Sequence, residues 1–290
     1  MTQPRVSVLS HTTCELGEGP TYEAATDTLW WFDILGRKLL EYRFATGTET
    51  VHALPEMASA LGVVDSGRHL IFTESGLYLR DTASGRLDRV AEIEADNPVT
   101  RSNDARVHPS GSFWLGTMGR KVEPKAGSVY WYRAGEVRKL FDGITIINSI
   151  CFSPSGEIAY FADSRENRLW RVGCDPETGL PAGEPEIFLD HQGQPGSIDG
   201  SICDADGNIW NARWGTGRLD AYDPQGARFA SIDVPASQCA CPAFVGPKAD
   251  RLVATSSVIP ADKHADDPEG GKTFIVDFPV RGVLEPKVVL

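Results

Sequence analysis

The 290-residue chain contains no apolar run approaching the ~20 residues that a membrane-spanning helix needs; segments such as 29–32 and 144–147 are among its longest. Residues 1–10 carry only Arg5 and no apolar core, so no secretory signal is expected. Positive charge is scarce: 28 Lys and Arg stand against 40 Asp and Glu, a net charge of −12. Nucleic acid and anionic membrane surfaces reward clustered positive charge, and neither is expected as a partner. No CxxC, HExxH or GxSxG occurs, and no Trp-Asp dipeptide. Nor does any stretch hold a 3.6-residue apolar period over three turns, so long amphipathic helices are absent from the expected fold. The six cysteines (14, 151, 174, 203, 239, 241) form no disulfide framework in a chain of this kind. Cys151 and Cys203 lie in apolar runs as small hydrophobes, and Cys239-Ala240-Cys241 has no His/Cys cluster to complete a metal site. A soluble, cytoplasmic protein is the expectation.

What the chain has is punctuation. Twenty-nine glycines and 19 prolines separate short runs rich in Val, Ile, Phe, Tyr and Trp. These runs, at 28–34, 69–73, 112–117, 128–132, 158–162, 168–172, 209–212 and 274–278, are predicted strands. Four turns share one form: Asp65-Ser66-Gly67, Pro109-Ser110-Gly111, Pro154-Ser155-Gly156 and Ala205-Asp206-Gly207. Their glycines are 44, 45 and 51 residues apart, and a second turn follows within each unit. With Asp27 and Asp250 as turns of a first and last unit, the chain divides into six repeats. Four strands per repeat of that length is the pattern of a propeller blade. The predicted fold is therefore all-β, a six-bladed β-propeller with four-stranded antiparallel blades, in one domain over residues 1–290.

The repeat also places chemistry. Eight residues before the turn glycines stand Ser59, Asn103, Asn148 and Asp199, and eight before Thr26, beside the Asp27 turn, stands Glu18. Each falls at the start of an innermost strand, so repeat symmetry brings these oxygen-bearing side chains to one axis. Glu18, Asn148 and Asp199 supply two carboxylates and an amide carbonyl. An oxygen-only set with two negative charges suits one hard divalent cation, Ca²⁺ first, with Mg²⁺, Mn²⁺ or Zn²⁺ as alternatives. Three protein ligands leave positions for water and substrate.

The segment Leu16-Gly17-Glu18-Gly19-Pro20 resembles the start of the regucalcin/gluconolactonase (senescence marker protein) family. Arg101-Ser102-Asn103-Asp104, Gly116-Thr117-Met118, Asn148-Ser149 and Asp199-Gly200 follow in that family's order, over about residues 14–226. The resemblance implies a divalent metal in the channel and hydrolysis of small-molecule sugar lactones. It makes Glu18, Asn148 and Asp199 the metal ligands, Asp199 also the general base, and Arg101 and Asn103 the residues that meet substrate and water. Two departures stand out. Gly119-Arg120-Lys121 follows Gly-Thr-Met where animal members carry a glutamate, which makes Lys121 a candidate contact for a polar or anionic substrate. Ser149 replaces the family's usual glycine, which suggests a locally altered backbone. Tryptophans 30, 31, 114, 131, 170 and 210 are expected between blades, and Trp214, in a glycine-flanked loop, at the channel mouth. Acidic residues in 260–271 read as a solvated loop. A calcium-binding or interaction propeller without activity, and an esterase or phosphotriesterase on the same metal site, are the competing readings.

Overall fold

In the computed structural model, which describes residues 4–259 and 266–290, the chain forms 24 strands and no α-helix among the described residues. The predicted runs appear within one or two residues of their expected ends: β3 (Thr28–Asp33), β7 (Arg68–Thr73), β11 (Phe113–Gly119), β12 (Gly127–Arg133), β15 (Ile158–Asp163), β16 (Arg168–Gly173), β19 (Ile209–Trp214) and β24 (Thr273–Asp277). All strand pairs are antiparallel, and β-branched and aromatic residues fill the positions packed on both faces.

Four sheets have four strands each. Their first strands are β2 (Gly17–Glu23), β6 (Ala58–Asp65), β10 (Thr100–Val107) and β14 (Ile147–Phe152), and strands follow outward in chain order. A fifth sheet has eight strands. It joins the meander that starts at β18 (Ser197–Cys203) to the one that starts at β22 (Gln238–Val245), through the single pair Trp214–Gln238. The sequence period expects six separate blades; here the last two are hydrogen-bonded into one sheet, because Gln238 meets the end of β19 directly. The periodicity also gives no place to β1 (Arg5–Ser10), which crosses to pair with β24 and ties the start of the chain to its last sheet.

The first strands pack in a ring: β2, β6, β10, β14, β18 and β22 each contact the next, and β22 returns to β2. β2, β10 and β14 are buried along their whole length, whereas the outermost strands, such as β5 (Thr48–Ala53), alternate between exposed and half-buried. Six apolar clusters fill the spaces between neighbouring meanders. One, for example, joins Trp30, Phe32 and Leu39 to Leu61 and Ile71. Both faces of a sheet are thus buried, and the strands read as continuous apolar runs instead of alternating ones. Tryptophans 30, 31, 114, 131 and 210 are buried as expected, and Trp170 is half-buried. All six cysteines are buried free thiols. Residues 278–290 strap the far ends of the ring: Ala205 donates to Arg281 O at 2.7 Å, Val288 to Val63 O at 2.9 Å and Val289 to Gly111 O at 2.9 Å.

Candidate active site

Every inner strand breaks register near its start. The breaks lie between Glu18 and Thr21, Ala58 and Ala60, Ser102 and Ala105, Asn148 and Cys151, Ile198 and Ser201, and Cys239 and Pro242. A bulge re-aims the side chains beside it. Glu18, Arg101, Asn103, Asn148 and Asp199 accordingly line one cavity of about 380 Å³. Ser59 is buried outside that lining, and its hydroxyl has no partner.

Carboxylates at the far ends of second strands hold the inner strands in place. Leu16 N–H donates to Asp33 Oδ1 at 3.1 Å, two residues before Glu18. Ile146 N–H donates to Asp163 Oδ1, also at 3.1 Å, two residues before Asn148. Asn167 does the same for the next strand, its Oδ1 accepting Ile198 N–H at 2.9 Å beside Asp199. Sequence reasoning passed over these three residues. The signal available was the repeated strand ending Trp31-Phe32-Asp33 and Phe161-Ala162-Asp163.

Backbone conformation contributes too. Gly19 has φ 58°, and a Cβ there would lie 2.0 Å from Ser59 O, so only glycine fits between the two inner strands. Ser149 occupies the same left-handed region, also at φ 58°. The backbone is therefore the one a glycine would give, against the expected alteration. The serine hydroxyl compensates by donating to Asp199 O and pairing with Ser201 Oγ at 2.8 Å.

The polar groups form one chain of contacts. Arg101 Nη1 donates to Asn103 Oδ1 and to Ser102 O, both at 2.7 Å. Asn103 Nδ2 donates to Ile147 O at 2.7 Å and to Asn148 Oδ1 at 3.1 Å. Asn148 Nδ2 donates to Ser164 Oγ at 2.8 Å, which leaves its carbonyl turned inward. Among the described residues, no side chain donates to the carboxylate of Asp199, and Glu18 Oε2 accepts only the N–H of Gly19, at 3.2 Å. Burial pushes the Glu18 carboxyl up to about 8, with the charge of Asp104 adding to it. Burial, followed by the charge of Glu18, holds Asp199 well above the usual carboxylate range. Burial also pulls Arg101 down to about 10, opposed by Glu18.

Two buried carboxylates without side-chain hydrogen-bond donors, beside the amide carbonyl of Asn148, form a donor set that fits a hard cation. No three His, Cys, Asp or Glu side chains gather as a metal cage among the described residues, so any ligand set here depends on the amide of Asn148. Lys121 is a correction. Its side chain is exposed outside the cavity, in a tight turn where its N–H donates to Glu123 Oε2 at 2.9 Å. The neighbouring Arg120 lines the cavity in its place, paired with Glu74. Trp214 lines the cavity as expected, with Met118, Ile146 and Ile259. The acidic loop 260–271 lies partly outside the described residues; within it, Asp267 accepts from Ser237 Oγ at 2.6 Å.

The family described as SMP-30/Gluconolactonase/LRE-like region matches residues 16–258. The chain belongs to this family. It is 48% identical over 280 residues to a Rhizobium meliloti protein provisionally named a sugar lactone lactonase, covering 96% of this chain and 95% of that one. Identity to the L-arabinolactonase of Azospirillum brasilense is 33% over 278 residues, with 93% and 91% covered. The crystal structure of a calcium-binding protein, regucalcin, from Agrobacterium tumefaciens superimposes with a TM-score of 0.97 at 50% identity, covering 99% of this chain and 98% of that one. This chain is therefore an all-β propeller of four-stranded antiparallel blades, the fold it shares with that structure.

Proposed function

We propose that this protein is a lactonase that opens sugar lactones, with one divalent cation held by Glu18, Asn148 and Asp199. The observation that carries the reading is the pair of buried carboxylates, Glu18 and Asp199, facing one cavity with no side-chain donor. The names of the L-arabinolactonase and of the Rhizobium relative support the substrate class. The calcium-binding relative and the oxygen-only donors favour Ca²⁺ over Zn²⁺, Mg²⁺ or Mn²⁺. We count the eight-stranded sheet as two blades, six in all, because six inner strands close the ring. The closure of the ring supports the reading of residues 1–290 as one domain. Six reduced thiols agree with a cytoplasmic site, and the charge of −12 with the absence of nucleic acid or membrane partners. No helix among the described residues is long and apolar enough to cross a membrane.

When bound, the cation polarises the lactone carbonyl and acidifies water. Asp199 takes the proton of the attacking water and returns it to the leaving ring oxygen. Arg101, anchored on Asn103 and Ser102, keeps further N–H groups for the hydroxyls of the sugar. Asn103 meets the water and also fixes the amide of Asn148. Trp214 and the apolar wall formed by Met118 and Ile146 keep bulk water from the reacting bond.

The test is acid release from a panel of sugar lactones, followed with a pH indicator. Metal-stripped protein is to be silent, and one added divalent cation is to restore turnover. Asp199→Ala removes turnover, and Arg101→Ala chiefly raises KM. No hydrolysis with Ca²⁺, Mg²⁺, Mn²⁺ or Zn²⁺ would overturn the reading; full activity after stripping would remove the metal from it.

A further inference from the structure

The charges lining the cavity are sorted by depth. Glu18, Asp199 and Arg101 lie buried at its base. The remaining charged lining residues, Arg120 and Arg165, are both exposed and both cationic. They come from different sheets. Arg120 directly follows β11, and its N–H is fixed on Val99 O at 2.8 Å. Its guanidinium is steadied through one nitrogen by Glu74, whose other oxygen accepts Met57 N–H at 3.1 Å. Arg165 opens the turn after β15, with its N–H on Asp163 Oδ1 at 2.9 Å. That carboxylate is the one holding Thr145 and Ile146 ahead of Asn148, so Arg165 shares the frame of the site. Among the described residues, its side chain makes no hydrogen bond and no ion pair.

A neutral sugar needs neither guanidinium. On a protein with a net charge of −12, the lip of this cavity is lined, among the described residues, by two arginines and no carboxylate, and Arg165 is free to meet an anion. Guanidinium forks match planar two-oxygen anions. Resting on the lactonase reading, we propose that the preferred substrate is the lactone of a sugar diacid, whose free carboxylate is received by Arg165 and Arg120 while its ring carbonyl lies at the Glu18/Asp199 base. Arg165 is then the residue that sets specificity between acidic and neutral sugar lactones.

The test uses two lactones of the same ring size that differ only at the terminal carbon, D-glucarolactone (carboxylate) and D-gluconolactone (hydroxymethyl). Wild-type protein is expected to show kcat/KM about tenfold or more higher for the glucarolactone, the range of a charge-assisted contact. Arg165→Gln, and Arg120→Lys, which keeps the charge but loses the fork, each lower that ratio about fivefold or more. Added salt also shrinks the ratio, because Arg165 is exposed. Equal rates on the two lactones, a preference for the neutral one, or an unchanged ratio in both variants overturns the inference and leaves the lactonase reading standing. If neither lactone is hydrolysed, the lactonase reading falls, and calorimetry with the open-chain acids decides this one alone. Tighter binding of glucarate than of gluconate, lost in Arg165→Gln, sustains the carboxylate site; equal binding of the two acids overturns it.

Discussion

Arg106, on inner strand β10, is ion-paired with Glu285, a residue 179 positions later in the C-terminal strap, and both side chains are nearly buried. The pair joins the ring of inner strands to the segment that crosses its far ends. Removing one partner of a buried pair leaves the other charge unpaired, so Glu285→Ala is expected to cost about 3–5 kcal/mol in urea unfolding. The double variant Arg106→Met/Glu285→Leu should recover most of it. A single-variant loss below about 1 kcal/mol, the value of a surface pair, would show that the strap is not locked here.

Glu18 and Asp199 oppose each other electrostatically in a buried site. Without a cation, Asp199→Asn is expected to raise the melting temperature while abolishing turnover, because the amide needs neither the desolvation of a carboxylate nor the proton uptake that burial and Glu18 force on Asp199. Saturating divalent cation should reverse the order, stabilising the wild type more than the variant. Differential scanning fluorimetry with and without chelator separates these outcomes; a variant less stable than wild type in chelator would contradict the account.

Ser149 links blade geometry to the site. Ser149→Ala keeps the left-handed strain and removes the hydroxyl's bonds to Asp199 O and Ser201 Oγ, while Asn211 still reaches both, for an expected loss of about 0.5–1.5 kcal/mol. Ser149→Gly loses the same hydroxyl but relieves the backbone, and should be less damaging by about 1 kcal/mol. Equal losses would mean that φ 58° stores no strain.

His191 provides a pH test. Arg213 Nη1 donates to its Nδ1 at 2.6 Å, and burial, with Arg213 second, pulls the imidazole down to about 4. The unfolded chain, with His near 6.5, binds more protons between these values, so stability is full above about pH 6.5 and declines as pH falls towards 4. His191→Gln keeps an acceptor for Arg213 and should flatten that part of the profile. Parallel profiles for wild type and variant between pH 4 and 7 would remove His191 from the acid sensitivity.

The sequence by itself determined the all-β fold, the antiparallel four-strand repeat and the phase of Glu18, Asn103, Asn148 and Asp199. It did so because a blade is a local unit: its turns need glycine at fixed intervals and its strands need apolar, β-branched or aromatic side chains. The outer strands were not legible. A segment such as Thr48–Ala53 is polar and held by a hydrogen-bond ladder along one edge, which leaves no apolar signature. Tertiary structure decided everything that depends on separate strands and segments meeting in space. Only the folded ring shows that β1 completes the last sheet, that Glu285 reaches Arg106, and that Asp33, Asp163 and Asn167 hold the inner strands. Lys121 and Arg120 are adjacent in the chain, yet the turn closed on Glu123 puts one in water and the other on the cavity wall. Spacing along a chain fixes which residues repeat; where a side chain at the end of a strand points is set by the turn that follows and by the neighbouring sheet it packs against.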